Sequence, residues 1–221
     1  MELQGLSILG PIIILFIFCL AMLFVVLKME KLRKFAKPFY AFFISVVAYI
    51  IVPDYPIICL FFFLHAIGDF IFAFKHKKGV MVLAQIVLLI THSLDLIHEI
   101  DLVNINIVFI ILIILLSCIA FFLCTYFKFK KKLPKLQIIL GSVYFGILIA
   151  TGILSIISSF KYTFLNIFVI IGISLFIIGD LYEIKWNYIK KDVYNKLYTN
   201  LTYFIGLFFV ALGLILPLIK F

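Results

Sequence analysis

The feature that most constrains this chain is a succession of eight apolar segments, at approximately 6 to 27, 35 to 52, 56 to 74, 79 to 97, 104 to 126, 136 to 157, 163 to 184 and 198 to 219, parted only by short links. A bilayer core about 30 Å thick takes roughly 20 apolar residues per helical crossing, so eight crossings use most of the 221 residues. Composition agrees, with 67% hydrophobic and 13% charged residues and a mean hydropathy of +1.33, where soluble domains are roughly half apolar. The chain reads as an all-α, polytopic membrane protein with eight transmembrane helices, a single integral-membrane helical domain over 1–221. The first segment carries Glu2 and no basic residue before it, while Lys28, Lys31, Arg33 and Lys34 follow. That polarity is wrong for a cleaved leader and predicts a retained span.

A net charge of +9 would suggest a nucleic-acid partner in a soluble protein. Here the lysines sit in runs between apolar segments and read as topology signals facing anionic headgroups, so no nucleic acid is expected. The links after the first, third, fifth and seventh segments, counting Lys37 just beyond the first, hold 17 of the 19 basic residues, and only Lys161 and Lys220 fall on the other side with Asp54, Glu99 and Asp101. The positive-inside rule then predicts both termini away from the cytoplasm, and the alternation supports an even number of spans. Cys19, Cys59, Cys118 and Cys124 lie in apolar stretches without metal-ligand spacing and read as packing residues. The sequon Asn200-Leu201-Thr202 falls at a cytoplasmic helix start, where glycosylation is not expected.

Ionisable groups at membrane depth cost several kcal/mol and are functional candidates by default. Asp69 stands six residues before Lys75 and Asp180 five before Lys185, so both sit roughly 8 to 9 Å inside the cytoplasmic boundary at 1.5 Å per residue. Their contexts match as Leu-x-x-Ile-Gly-Asp followed by lysine, Leu64 to Asp69 against Leu175 to Asp180. The third and seventh segments run the same way, which suggests two four-helix halves related as a parallel repeat with one carboxylate from each at the centre. The glycine before each Asp admits a close neighbour. Tyr203 and Tyr144, seven residues past Lys196 and nine past Lys135, reach the same layer; Lys37 is shallower with a long reach, and His65 shares a helix face with Asp69. His92, fourteen residues past Lys78, is expected roughly 21 Å from the cytoplasmic side, nearer the far surface with Asp95.

Lys37-Pro38, Gly68-Asp69, His92, Asp180 and Thr202-Tyr203 with Gly206 resemble the YhhN-type lysoplasmalogenase family, from about Lys37 to Gly213. Those are eight-helix membrane enzymes that cleave the vinyl ether bond of lysoplasmalogens to a fatty aldehyde and a glycerophospho-head group. The resemblance implies catalytic Asp69 and Asp180, with Lys37, His65, His92 and Tyr203 binding or positioning a single-chain phospholipid, and neither cofactor nor metal. The chain departs from the family pattern at Gly179, where Ser is usual, at Leu207, where Gln is usual, and at Asp95, where Tyr is common.

The chemistry has its own logic. Vinyl ethers hydrolyse when an acid protonates the alkene carbon, and water captures the resulting oxocarbenium ion as a hemiacetal that collapses to aldehyde and alcohol. One proton donor and one anion are needed, and two carboxylates in a partly dry layer divide that labour as they do in glycosidases. Tyr203 or His65 would position the ether oxygen or the water, and Lys37 would meet the phosphate as a point charge. Two other classes fit the same residues. A proton-coupled transporter also gathers acidic residues at a repeat interface, though the third and seventh segments lack the internal proline of broken helices. A non-catalytic scaffold would use Lys37 or Tyr203 merely to satisfy the carboxylates. The 27 phenylalanines read as lipid-facing bulk.

Overall fold

The computed structural model describes residues 2–29, 32–74, 78–103, 105–129, 134–161, 164–188 and 192–219. Lys31, Lys75, Lys77, Lys130, Lys131, Lys132, Lys190, Lys191 and Lys220, which entered the charge reading, lie outside them, as does the side chain of Cys124. Among the described residues the chain forms eight α-helices: α1 (Glu2–Lys28), α2 (Arg33–Ile51), α3 (Pro56–Phe72), α4 (Lys78–Val103), α5 (Ile107–Phe129), α6 (Lys135–Lys161), α7 (Ile167–Tyr188) and α8 (Val193–Ile215). Short 3-10 turns at Phe164–Asn166 and Leu216–Leu218 precede α7 and follow α8. Among the described residues, six helices are long and apolar enough to cross a membrane; Pro56–Phe72 and Ile107–Leu123 are shorter apolar stretches.

Local chemistry accounts for several helix ends. Pro56 opens α3 at the position where a missing N–H costs nothing. Asp192 caps α8, its carboxylate accepting from the Tyr194 amide at 3.0 Å. The expected end of the fourth helix at 97 is six residues short, because α4 runs on to Val103. Its last turns carry Asp95, His98, Glu99 and Asp101, which look like a link by hydropathy, yet Glu99 is turned wholly inward against α6.

Six helices close a ring in the order α2, α3, α4, α6, α7, α8 and back to α2, while α1 packs outside against α2 and α8 and α5 outside against α6. Two apolar clusters pack the helices together, one centred on Tyr40, Phe61, Phe62 and Phe204 and reaching Leu15 of α1, and a smaller one on Leu96, Leu154 and Ile110 of α5. The outer helices present Leu9, Ile13, Phe16 and Phe24 on α1 and Ile107, Phe109, Leu112 and Leu116 on α5, all exposed. An apolar surface of that extent needs an apolar surrounding.

The tightest pair is α7 with α8. A Cβ added at Gly172 would stand 2.6 Å from the Gly206 carbonyl and 2.8 Å from the Val210 amide, and one at Gly213 would stand 2.6 Å from the Val169 amide. Gly172 and Gly179 on one helix and Gly206 and Gly213 on the other each repeat after seven residues, so at these levels each helix approaches the backbone of the other closely, with Val210, Val169 and Thr202 filling the glycine notches. Small residues at such intervals let helices approach where packing, not water exclusion, drives association. The glycines before the two aspartates do similar work: a Cβ at Gly68 would meet Leu88 Cδ2 at 2.8 Å, and one at Gly179 would meet Thr202 Oγ1 at 2.5 Å.

Candidate functional site

Helix direction decides where the polar residues gather. The N-terminal halves of α2, α4, α6 and α8 and the C-terminal ends of α3 and α7 share one end of the ring, the end that also carries Lys34, Lys135, Lys185 and Lys196. At that end a cavity of about 150 Å³ opens between the helices. Lys37 from α2, His65 and Asp69 from α3, Tyr144 from α6, Asp180 from α7 and Tyr203 from α8 all line it. Two aspartates 111 positions apart in the chain therefore face one space.

Each carboxylate is held by a tyrosine from a different helix. Tyr203 Oη donates to Asp69 Oδ2, and Tyr144 Oη donates to Asp180 Oδ2 at 2.9 Å. His65 Nε2 lies 3.7 Å from Asp69 Oδ2, the two residues being one helical turn apart on α3. Lys37 Nζ stands over the Tyr203 ring, 4.5 Å from its centroid, a cation–π contact that places a positive charge beside the Asp69 pair. The tyrosine bonds occupy Oδ2 on both aspartates, so the acids are oriented and not merely buried.

His92 is not near the far surface, as counting along α4 predicts. Its ring packs edge-on against His65 at 5.4 Å and against Tyr144 at 5.2 Å, and it is 1% exposed. Side chains lean toward the N-terminus of their own helix. On α4 that lean points to the cavity end and on antiparallel α3 it points away from it, so the two imidazoles meet between their backbone levels. A depth measured along one axis also assumes that all helices start in a common plane, and α4 begins at Lys78 with 26 residues. The result is an aromatic sequence Tyr203, His65, His92, Tyr144, each ring within 6 Å of the next, that joins one carboxylate to the other. Phe176 stacks on His65 and closes its side.

Asp95 is turned inward too, 2% exposed. Gln85, Gln137 and Glu183 also line the cavity, and sequence reasoning did not single them out. The signal was available for Gln137, two residues past Lys135 and on the Tyr144 face of α6, and for Glu183, three residues past Asp180. Phe121, Phe145 and Phe176 line the cavity too, so part of the phenylalanine content faces the site and not the outside. Gln137 Nε2 approaches Met81 Sδ at 3.4 Å. Among the described residues no group of three or more His, Cys, Asp or Glu is placed to hold a metal ion.

Of the departures from the family pattern, Gly179 lies against Thr202, as above, and Leu207 is wholly buried in the larger apolar cluster. A side chain at 179 would need a local shift, whereas at 207 an amide would fit by volume but lie among apolar neighbours. Compared with family models, with curated proteins and with solved structures, the chain gives no match.

Proposed function

We propose that the chain is an integral membrane hydrolase of the lysoplasmalogenase kind, cleaving the vinyl ether bond of a single-chain phospholipid to a fatty aldehyde and a glycerophospho-head group. The observation that carries this reading is the pair of tyrosine-held carboxylates, Asp69 and Asp180, facing one cavity with Lys37 beside them. A scaffold needs its buried acids satisfied but has no need for them to share a cavity. The ring of helices supports the repeat: α2, α3 and α4 and then α6, α7 and α8 follow in the same sense, with the first helix of each half outside. The tyrosine bonds do not follow that symmetry, since the partner of Asp69 comes from α8 and that of Asp180 from α6.

In this reading all eight helices cross the membrane with both termini outside the cytoplasm, α3 with 17 residues lying at the lower limit of roughly 17 for a crossing. The lipid enters sideways with its tail among the helices. One aspartic acid of the pair protonates the alkene carbon through Oδ1, and the other carboxylate faces the oxocarbenium ion. Water adds to that cation and returns a proton to the first aspartate, and the hemiacetal collapses with no net proton consumed. Tyr144 and Tyr203 hold the acids in position, His65 and His92 fix the tyrosines by ring packing, and Lys37 meets the phosphate.

Incubating the purified protein with lysoplasmalogen in detergent and assaying free aldehyde tests the proposal. Wild type is expected to release aldehyde, with Asp69→Asn and Asp180→Asn each slower by on the order of 10² to 10⁴-fold, the usual worth of a general acid, and with melting near wild type. Stable variants that release aldehyde at the wild-type rate would end the assignment.

A further inference from the structure

Beyond the cavity, α4 carries a second set of buried ionisable groups. His92, Asp95 and Glu99 follow at intervals of three and four residues on one face and are 1%, 2% and 0% exposed. Among the described residues, both imidazole nitrogens of His92, both carboxylate oxygens of Asp95 and Oε1 of Glu99 are buried and find no hydrogen-bond partner. A buried polar atom left unpaired costs about 1–3 kcal/mol, and more when charged, so a stripe of five such atoms is not a packing device. Other elements place polar groups against both of its ends. At the inner end His92 meets Tyr144, the donor to Asp180, and His65, the neighbour of Asp69. At the outer end Ser158 of α6 donates to Glu99 Oε2 at 3.1 Å, and Asn166 Nδ2 before α7 donates to Ser158 Oγ at 2.7 Å. Between them Asp95 is flanked by His98 of its own helix and by apolar Ile57, Ile58, Phe61 and Leu214 from α3 and α8.

The stripe has a direction. The cavity belongs to the end of the ring where α4 and α6 begin, and Glu99 lies four residues from the opposite end of α4 at Val103, about 6 Å along the axis. Exposed Asp101 and Lys161 stand at that same opposite end. Neighbours at these intervals have Cβ atoms about 5–6 Å apart, a gap that rotation of a carboxylate or one intervening water closes. Chains of Asp, Glu and His inside apolar helix bundles are the usual form of a proton relay. We infer that His92, Asp95 and Glu99 conduct protons between the cavity carboxylates and the opposite end of the bundle. A proton taken up by one imidazole nitrogen of His92 leaves from the other, and each carboxylate receives one proton before it passes one on, so charge and atoms balance at every step. The relay gives Asp69 and Asp180 access to protons from the side of the bundle away from Lys37. It goes beyond the hydrolase reading and is read without any lipid substrate, so absence of aldehyde release leaves its test intact.

The full chain, reconstituted in vesicles of phosphatidylcholine and phosphatidylglycerol with a pH-sensitive dye inside, is given an inside-negative potassium diffusion potential. Wild-type vesicles are expected to acidify several-fold faster than protein-free ones, Asp95→Asn and Glu99→Gln to fall to the protein-free rate, and Asp95→Glu to keep most of the flux. Ser158→Ala, which removes only a hydroxyl, is expected to slow the flux with a modest fall in melting, since Glu99 Oε2 and Asn166 Nδ2 lose a partner. Wild-type vesicles no faster than protein-free ones would overturn the inference. So would a Glu99→Gln or Ser158→Ala protein that still melts cooperatively and conducts at the wild-type rate.

Discussion

Replacing Gly172 with alanine sets two known effects against each other at one atom. In a helix interior alanine is favoured over glycine by about 0.8–1.0 kcal/mol. Against this, the new Cβ would lie 2.5 Å from Val210 Cγ2, 2.6 Å from the Gly206 carbonyl oxygen and 2.8 Å from the Val210 amide nitrogen. Two of those three neighbours are backbone and cannot rotate away, so α7 and α8 must separate along the contact. Overpacking of this kind costs typically about 1–3 kcal/mol, and with rigid neighbours the upper part of that range applies. The expected net loss is about 2 kcal/mol, or a fall in melting temperature of roughly 4–8 °C for a chain of this length. Gly152→Ala is the control, because its Cβ would meet only Ile173 Cγ2 at 3.8 Å, an ordinary contact. It should gain about 0.5–1 kcal/mol and melt a few degrees higher. Fluorescence-monitored melting in detergent reads both. If Gly172→Ala melts at or above wild type, or if the two variants shift in the same direction, the backbone-to-backbone account of the α7–α8 contact is wrong.

Tyr203→Phe and Tyr144→Phe each remove one hydroxyl from a carboxylate and should lower aldehyde release more than stability, the lost hydrogen bond costing about 1–3 kcal/mol at most; aldehyde assay and melting curves on the same preparations separate the two. Gly179→Ser brings a side chain onto Thr202 Oγ1, which already bonds the Tyr198 carbonyl at 2.7 Å, so it should destabilise alone and recover with Thr202→Ala, measured as a double-mutant cycle in melting temperature. Leu207→Gln places an amide among apolar neighbours and should lower stability by about 1–3 kcal/mol; a rise in activity without that loss would show that the pocket around 207 rearranges. Cysteines introduced near Gly5 and near Phe221 should be labelled by an impermeant thiol reagent from the non-cytoplasmic side, and labelling of either from the cytoplasm would mean that a span is miscounted.

The two aspartates were legible because a carboxylate in an apolar run stands out, and counting from the lysines put both at one level. Tyr144 and Tyr203 were legible on the same ruler. His92, Asp95 and Glu99 were not, since counting gives depth along one helix but not the direction in which a side chain turns. The sequence Leu94-Asp95-Leu96-Ile97-His98-Glu99 has the polarity of a helix leaving the membrane. Glu99 faces inward where α6 offers Ser158 opposite it, and no local pattern in α4 announces that pairing. Gly172 and Gly206 show the same limit. Each is an unremarkable small residue alone, and the heptad spacing acquires meaning only when two helices are seen to meet through it.

The bond from Tyr203 to Asp69 spans 134 positions of chain, which has a consequence for biogenesis. Seven helices can be threaded into the bilayer while Asp69 still lacks its clamp, because the residue that orients it arrives on the eighth. As α7 and α8 fit closely through their glycines, they are expected to form one hairpin, delivering Asp180 and Tyr203 together. The tyrosine-held pair of carboxylates is thus incomplete until this hairpin docks against α2 and α6, and a nascent chain acquires the proposed site only in a single late step.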